Sequence, residues 1–495
     1  MIRAGLARTA PTYEGVTAPF LPGEPYPELQ RFLNGRVGPP NPVFAAVRDA
    51  LRGLGLDEAR FGTADWNPLS DLVKPGGAIV LKPNFIRHWN PMEGRGGTVQ
   101  SVITHGAVVR AMADYAFLAA GPDGTVTVAE APQMDCDYSR MAAINALQEI
   151  EASFREDTGR VLRIIDMRRE EVTFKDGVIV ERVSLPGDPA GYRAVDLGEH
   201  SFFTGSGLDP DRFRGADYDS GPTAEHHKNG RNAYLLSETV LSADLVVNLP
   251  KLKTHKKTGV TLALKNMVGI NGDKNWLPHH SLGSVNDGGD EFPETKFIDR
   301  LRSRATEFAR PLLAKGKGLS FFRAARRMES AVRGDAFIRS GNWYGNRTTW
   351  RMCCDLNRCL YYSDRDGLHL DAPEPVRPVL TLIDGILAGE GEGPLAPVDV
   401  PLGAVIASSD PVAADLVAVR LMGFDETRLA KLLAPMEDES GPRITAVRSP
   451  ADVVVGLVSG NGATPRQCNL DDIVCERRFR PHAGWVGHVE RDPEN

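Results

Sequence analysis

Apolar residues in this chain fall in short unbroken runs separated by longer stretches of helical spacing. Ala78-Ile79-Val80-Leu81, Thr125-Val126-Thr127-Val128-Ala129, Asp244-Leu245-Val246-Val247-Asn248, Val379-Leu380-Thr381-Leu382-Ile383 and Gly403-Ala404-Val405-Ile406-Ala407 read as strands, with Asp452 to Val458 as a last one. Runs that do not alternate apolar with polar imply burial on both faces, as in parallel sheets. Between them, Val43 to Leu54 follows Asn41-Pro42, a cap and a first-turn proline. Thr104 to Ala120 stops at Gly121, and Val412 to Met422 follows the cap Asp410 and Pro411. The fold class expected is α/β: a largely parallel or mixed central sheet flanked by helices, with an antiparallel β excursion and a helical insertion.

Composition shifts divide the chain. Residues 1–40, rich in proline and glycine, are expected to form an extended N-terminal arm over the surface. Residues 41–290 form the first part of the core, and within them 160–204 carry the excursion, where Asp176-Gly177 joins two β-rich flanks as a hairpin. Residues 291–350 are a basic helical insertion, 351–440 the second part of the core, and 441–495 a C-terminal strand and tail. In 300–340, eleven Arg or Lys face three acidic residues, Glu307, Glu329 and Asp335, and the pattern around Leu319, Phe321, Phe322, Ala325 and Met328 is that of an amphipathic helix. A solvated insertion, a lid over an anionic substrate, and a face for a partner or an anionic membrane surface all fit that pattern.

At 495 residues with 42% hydrophobic and 25% charged content, the chain is an ordinary globular protein in composition. A net charge of -7 gives no general attraction to nucleic acid. No run approaches the ~18 apolar residues of a transmembrane segment, and the first residues lack the apolar core of a secretory signal. A cytoplasmic location is therefore expected. Of the six cysteines, Cys353, Cys354 and Cys359 lie close together, and Cys468 and Cys475 likewise, with none of the paired spacing of a zinc site or the run of an iron–sulfur cluster.

The chemistry concentrates where strands end. Lys82-Pro83-Asn84, Glu130-Ala131-Pro132, Asn248-Leu249-Pro250-Lys251, Asp384-Gly385 and Ser408-Ser409-Asp410 follow strand candidates. Open α/β sheets bind ligands beyond the carboxyl ends of their strands, so these turns converge on one crevice if the strands share one parallel sheet. The densest is Lys251-Leu252-Lys253-Thr254-His255, read as an anion-binding turn that leads into an apolar helix carrying Lys265 and Asn266. Ammonium groups beside hydroxyls suit a carboxylate or phosphate; a basic surface loop is the plain alternative. Lys253 and His255 can transfer protons if burial moves their pKa values towards neutrality. Asp384, Glu390 and Glu392 offer oxygen ligands to a divalent metal, and the Gly-Glu alternation there also fits a solvated loop. His226-His227 and His279-His280 are imidazole pairs that serve either a metal or ordinary packing. No glycine-rich stretch matches a Walker or dinucleotide fingerprint.

Val247 to His255, with Gly259 to Asn266, resembles the signature of the domain-of-unknown-function family numbered 362. Leu81-Lys82-Pro83-Asn84, Ile383-Asp384-Gly385, Gly391-Glu392-Gly393-Pro394 and Ser408 to Asp415 support it in the family's order, over roughly residues 76–425. The resemblance implies a shared α/β fold and no general activity. Many relatives carry a ferredoxin-like cysteine cluster; this sequence lacks it, as a long subgroup would, so no iron–sulfur cluster is expected. Gly341 to Asn346 and Trp350 onward would form either a pocket wall or a tether. The function expected is an enzyme acting on a small anionic substrate, with Lys253, His255 and Asp384 catalytic and Lys82, Asn84, Lys251, Thr254, Lys265 and Asn266 binding, assisted by a metal at Glu390 and Glu392. A non-catalytic anion- or partner-binding scaffold and a redox accessory protein using the cysteines are the rivals.

Overall fold

The computed structural model describes residues 1–175, 178–215, 219–294, 297–314, 340–460 and 462–492. Eleven strands form the main sheet: β1 Ile2–Arg8, β2 Ala78–Pro83, β3 Thr125–Glu130, β4 Leu162–Asp166, β5 Leu245–Leu249, β6 Lys251–His255, β7 Gly259–Val260, β8 Val379–Glu392, β9 Ala396–Ser408, β10 Val453–Ser459 and β11 Arg466–Asn469. Their order is β11-β10-β1-β9-β8-β5-β2-β3-β4, with β6 along the far half of β8 and β7 on β6. The strands β1, β2, β3, β4, β5, β8 and β10 run one way, and β9 and β11 run against them. The sheet is mixed and mostly parallel.

Helices α1 Pro42–Leu54 and α2 Gly106–Ala120 cover one face; α3 Leu262–Asn266, α4 Thr349–Tyr362 and α5 Pro411–Met422 lie on the other. The alternation of β5 shows how both faces fill: Leu245, Val247 and Leu249 join the core under α1 and α2, whereas Val246 joins the core around α4. The caps read from sequence are present. The Asn41 side chain accepts the Phe44 amide, and Asp410 accepts those of Val412 and Ala413.

Four expectations are corrected. Residues 2–8, expected in a surface arm, form β1 inside the sheet between β9 and β10. Their small side chains hid the strand: α1 lies so close that a Cβ on Gly5 would stand 2.0 Å from the Ala50 carbonyl oxygen. The excursion begins later than 160, because Leu162–Asp166 is the parallel edge strand β4. The antiparallel parts are Glu170–Lys175 with Val178–Ser184, and Tyr192–Asp196 with Ala233–Ser237. The hairpin tip Asp176-Gly177 lies outside the described residues.

The Gly-Glu run is no loop. The strand β8 continues through Glu392, paired with β9 on one side and β6 on the other. Because β8 and β9 form a hairpin, Ser408 pairs Thr381 near the start of β8. The strand β9 therefore runs against the parallel strands, and its Ser408-Ser409-Asp410 turn leaves the sheet in the opposite direction from their ends. Of the basic insertion, the helix Phe297–Ala314 is described, with Leu301 and Phe308 exposed; Leu319, Phe321, Phe322, Ala325 and Met328 lie outside the described residues. No helix among the described residues is long and apolar enough to cross a membrane.

The contact of α1 with β10 is tight where two glycines meet: a Cβ on Gly456 would lie 2.0 Å from the Gly53 carbonyl oxygen. Gly456→Ala should lower unfolding free energy by about 2–3 kcal/mol, as overpacking does, measured by urea denaturation.

Candidate functional site

The chain runs outward from β2 through β3 to β4, then returns to place β5 on the other side of β2. That reversal is a topological switch point, and the ligand crevice of an open α/β sheet lies beyond the strand ends there. A cavity of about 450 Å³ occupies that position.

Its base is a hydrogen-bonded network of buried lysines and amides. Lys253 Nζ donates to Asn84 Oδ1 at 2.8 Å and to the Val102 carbonyl. Asn84 Nδ2 donates to Asn266 Oδ1 at 2.8 Å, Asn266 Nδ2 to Asn248 Oδ1 at 2.7 Å, and Asn248 Nδ2 to the Ala263 carbonyl at 3.1 Å. Lys82 Nζ joins at Asn266 Oδ1 (3.1 Å) and pairs with Glu130 Oε2 at 2.5 Å. Burial pushes Lys82 down and Glu130 up from their ordinary values. Gly269 permits the pair, since a Cβ there would sit 1.8 Å from Glu130 Oε1.

Of the residues expected in the site, Lys82, Asn84, His255, Lys265 and Asn266 line the cavity. Lys253 stands behind Asn84. Lys251 and Asp384 form a different arrangement. Lys251 Nζ is 2.9 Å from Asp384 Oδ2 and donates to Tyr13 Oη at 2.8 Å; Tyr13 in turn donates to Asp384 Oδ1 at 2.5 Å and stacks on His105. Both ion-pair side chains are fully buried, and neither lines the cavity. The Thr254 hydroxyl donates to the Gly391 carbonyl at 3.0 Å and so ties β6 to β8. The expected turn is thus a buried strand, in which each inward lysine meets its own acceptors.

Glu390 and Glu392 hold the C-terminal tail. Glu390 pairs with Arg477 at 3.1 Å and accepts the Arg480 amide; Glu392 meets His482 Nε2 at 3.0 Å, which draws its carboxyl below the usual value. Among the described residues, no group of three or more His, Cys, Asp and Glu is arranged to hold a metal ion. His226 stacks on Trp276, and His227 Nε2 lies 2.8 Å from the Trp276 carbonyl oxygen. Cys353, Cys354 and Cys359 are buried in α4, and burial raises each thiol, the condition of unreactive cysteines.

Sequence reasoning had not placed Lys257, Lys274 or Glu130 in the site. All three line the cavity, as do Lys256, His279 and His280. Glu130 ends β3 and so obeyed the strand-end rule, and Lys257 belongs to the dense basic run Lys251 to Gly259; Lys274 carried no local signal. The Ser340 and Asn342 end of the aromatic segment forms a wall, whereas Trp343 tethers it by donating to the Asp290 carbonyl at 2.9 Å. Burial lowers Lys257 and Lys274 to about 7 and moves Lys265 down as well. Lys257 Nζ donates to the Ser340 carbonyl, and Lys274 Nζ to those of Val268 and Asn271. No hydrogen-bond acceptor meets Lys265 Nζ among the described residues.

His255 Nδ1 accepts from the amides of Lys257 at 3.1 Å and Thr258 at 3.3 Å. That fixes the neutral tautomer with its proton on Nε2, and burial among lysines holds the ring well below its ordinary pKa. His255 is therefore built as a neutral donor.

Fold and site together define a mixed α/β protein with a lysine-lined cavity at its switch point. The chain belongs to the family described as Domain of unknown function (DUF362), whose model matches residues 160–420, just over half of it. The match includes β6, α3 and Asp384 and stops short of Lys82, Asn84 and Glu130. No curated protein matches the chain.

Asp384→Asn removes the charge facing buried Lys251 and should cost about 3–5 kcal/mol of stability, read by chemical denaturation. The cavity residues are untouched, so anion binding by the folded variant should persist; its loss would place Asp384 in the site.

Proposed function

We propose that this chain is an enzyme acting on a small carboxylate or phosphate in the switch-point cavity. The observation that carries this reading is a charge imbalance. Five lysines and three histidines line the cavity, against one carboxylate, Glu130, among the described residues, in a chain whose net charge is -7. Burying that many ammonium groups together is costly, and an anion offsets the cost by restoring them to their charged forms. Lys265, with no hydrogen-bond acceptor among the described residues, is the first anchor. Lys257 and Lys274 add charge, and His255 donates from Nε2. Such fixed donors stabilise charge that develops during a reaction without rearranging.

Glu130 favours an enzyme over a passive binding module. A carboxylate among the lysines weakens anion capture, so a module gains nothing from it. Its Oε2 is held by Lys82, and its Oε1 accepts no hydrogen bond among the described residues. Burial has already raised its proton affinity. Those are the properties of a proton-transfer group beside a bound anion. Glu130→Gln should bind anions at least as tightly as the parent chain. It should turn over a converted carboxylate or phosphate about 10²–10⁴-fold more slowly, followed by mass spectrometry of the products. Equal turnover would remove Glu130 from the chemistry; no turnover by the parent chain across such a panel would leave the binding module.

The lysines set a pH dependence. The pKa of about 7 at Lys257 and Lys274 rises when an anion binds, so binding takes up protons between about 7 and the ordinary lysine value near 10.5. Affinity should be greatest below pH 7 and fall as pH rises through that window. Calorimetry in buffers of different ionisation enthalpy measures the uptake. Affinity that is flat from pH 6 to 9, or proton release, would contradict it.

A further inference from the structure

The cavity is lined by groups of unlike chemistry: the ammonium groups of Lys257, Lys265 and Lys274, and the apolar side chains of Ile86, Met134, Phe174, Pro394 and Leu395. Phe174 lines the cavity yet is 39% exposed, so part of its ring faces open space at the mouth. It is carried on the hairpin of Glu170–Lys175 and Val178–Ser184. That hairpin packs onto the body through the small cluster Met134, Val172 and Ile179, and the Val172 amide donates to the Met134 carbonyl at 2.9 Å. An apolar side chain is thus placed over a cationic base by an element outside the main sheet.

Size points the same way. A volume of about 450 Å³ is in the range of sites for small organic ligands. An inorganic anion or a two-carbon acid fills a small part of it and leaves water against the apolar wall, which is unfavourable. Ligand sites of this size combine an apolar lining with a few polar groups that orient the ligand.

Resting on the anion reading above, we propose that the substrate is an amphipathic organic anion. Its carboxylate or phosphate head lies on Lys257, Lys265 and Lys274, and its hydrocarbon or aromatic body lies against Ile86, Met134 and Phe174. The lysines fix the head, and the apolar wall selects among acids sharing it.

The test is a ligand series on the full chain by isothermal calorimetry at pH 6.5. It uses inorganic phosphate, methyl, butyl, hexyl and phenyl phosphate, the matched carboxylates from acetate to hexanoate, and butanol and hexanol as uncharged controls. The expected result is an affinity that rises about threefold to fourfold per methylene until the wall is covered, for anions only. Phe174→Ser, in an exposed position where folding is little affected, should reduce the gain per methylene and the preference for the phenyl ester. Its thermal unfolding is recorded beside the parent's to show that it is folded. Lys265→Met should weaken every anion by tenfold or more. Anions that bind with no gain from the hydrocarbon would overturn the amphipathic substrate and leave the anion site standing. Alcohols binding as tightly as the anions would also overturn it. No binding by any anion would bring down both readings.

Discussion

The structure depends on a directional chain of buried hydrogen bonds running from Lys253 through Asn84, Asn266 and Asn248 to the Ala263 carbonyl. An ammonium group can only donate and a carbonyl can only accept. With a lysine at one end and a carbonyl at the other, each intervening amide has one allowed orientation. Three strand ends and helix α3 are locked in register by this polarity, because Asn84 follows β2, Asn248 belongs to β5, Lys253 to β6 and Asn266 to α3. A buried amide reversed anywhere along it would face donor to donor, and each unmade bond costs about 1–3 kcal/mol. The switch point, the crevice beyond the paired ends of β2 and β5, is bounded by groups that cannot rearrange singly.

The same chemistry separates the lysines into two kinds. Lys251, Lys253 and Lys431 spend their donors inside the protein: on Asp384 and Tyr13, on Asn84 and Val102, and on the Val260 and Thr261 carbonyls with Asp415. Lys251 and Lys431 are paired with carboxylates, whereas Lys253 has only neutral acceptors, and burial beside other lysines holds it well below its ordinary pKa. Lys257, Lys265 and Lys274 face the cavity, and burial lowers each of them without a carboxylate partner to reverse it. Lys82 belongs to both kinds, since it lines the cavity and is paired with Glu130. In an acidic chain, this arrangement gathers five lysines on one interior surface.

Much of the fold was legible because burial on both faces leaves a plain signature. The runs at 78–81, 125–129, 245–248 and 379–383 are all parallel strands of the sheet, and the Asn41 and Asp410 caps start helices where expected. What escaped was structure held by specific contacts. The strand Lys251–His255 is fully buried, yet its Lys, Thr and His composition reads as an anion-binding turn. Only its distant acceptors, Asn84 and Asp384 among them, make burial tolerable. The strand Ile2–Arg8 owes its place to a helix seated on Gly5, a contact no local pattern announces. The direction of β9 was lost because residues 393–395 make a tight hairpin where a crossover was assumed. Of the residues that line the cavity, Lys82, Asn84, His255, Lys265 and Asn266 had been named through the strand-end rule and the family signature, and Lys257 lies in the same basic run. Lys274 enters only through three-dimensional convergence.

Precision at the site is bought by strain elsewhere. Leu262, fully buried, has φ of 54°, a left-handed conformation that a branched side chain resists at a cost of roughly 1–3 kcal/mol. It begins α3, so it sets the direction in which Lys265 and Asn266 leave the backbone. The surrounding contacts over-determine it. Asp415 from α5 accepts the amides of Ala263 at 2.6 Å and Leu264 at 3.4 Å, and Lys431 binds the carbonyls on the other side of Leu262, at Val260 and Thr261. A carboxylate on the helix start and an ammonium on the preceding carbonyls hold the turn from both ends. A relaxed Leu262 would swing Asn266 out of the amide chain and Lys265 away from the cavity in one movement. Adjacent residues on one strained turn thereby couple the integrity of the switch point to the position of its most available cation.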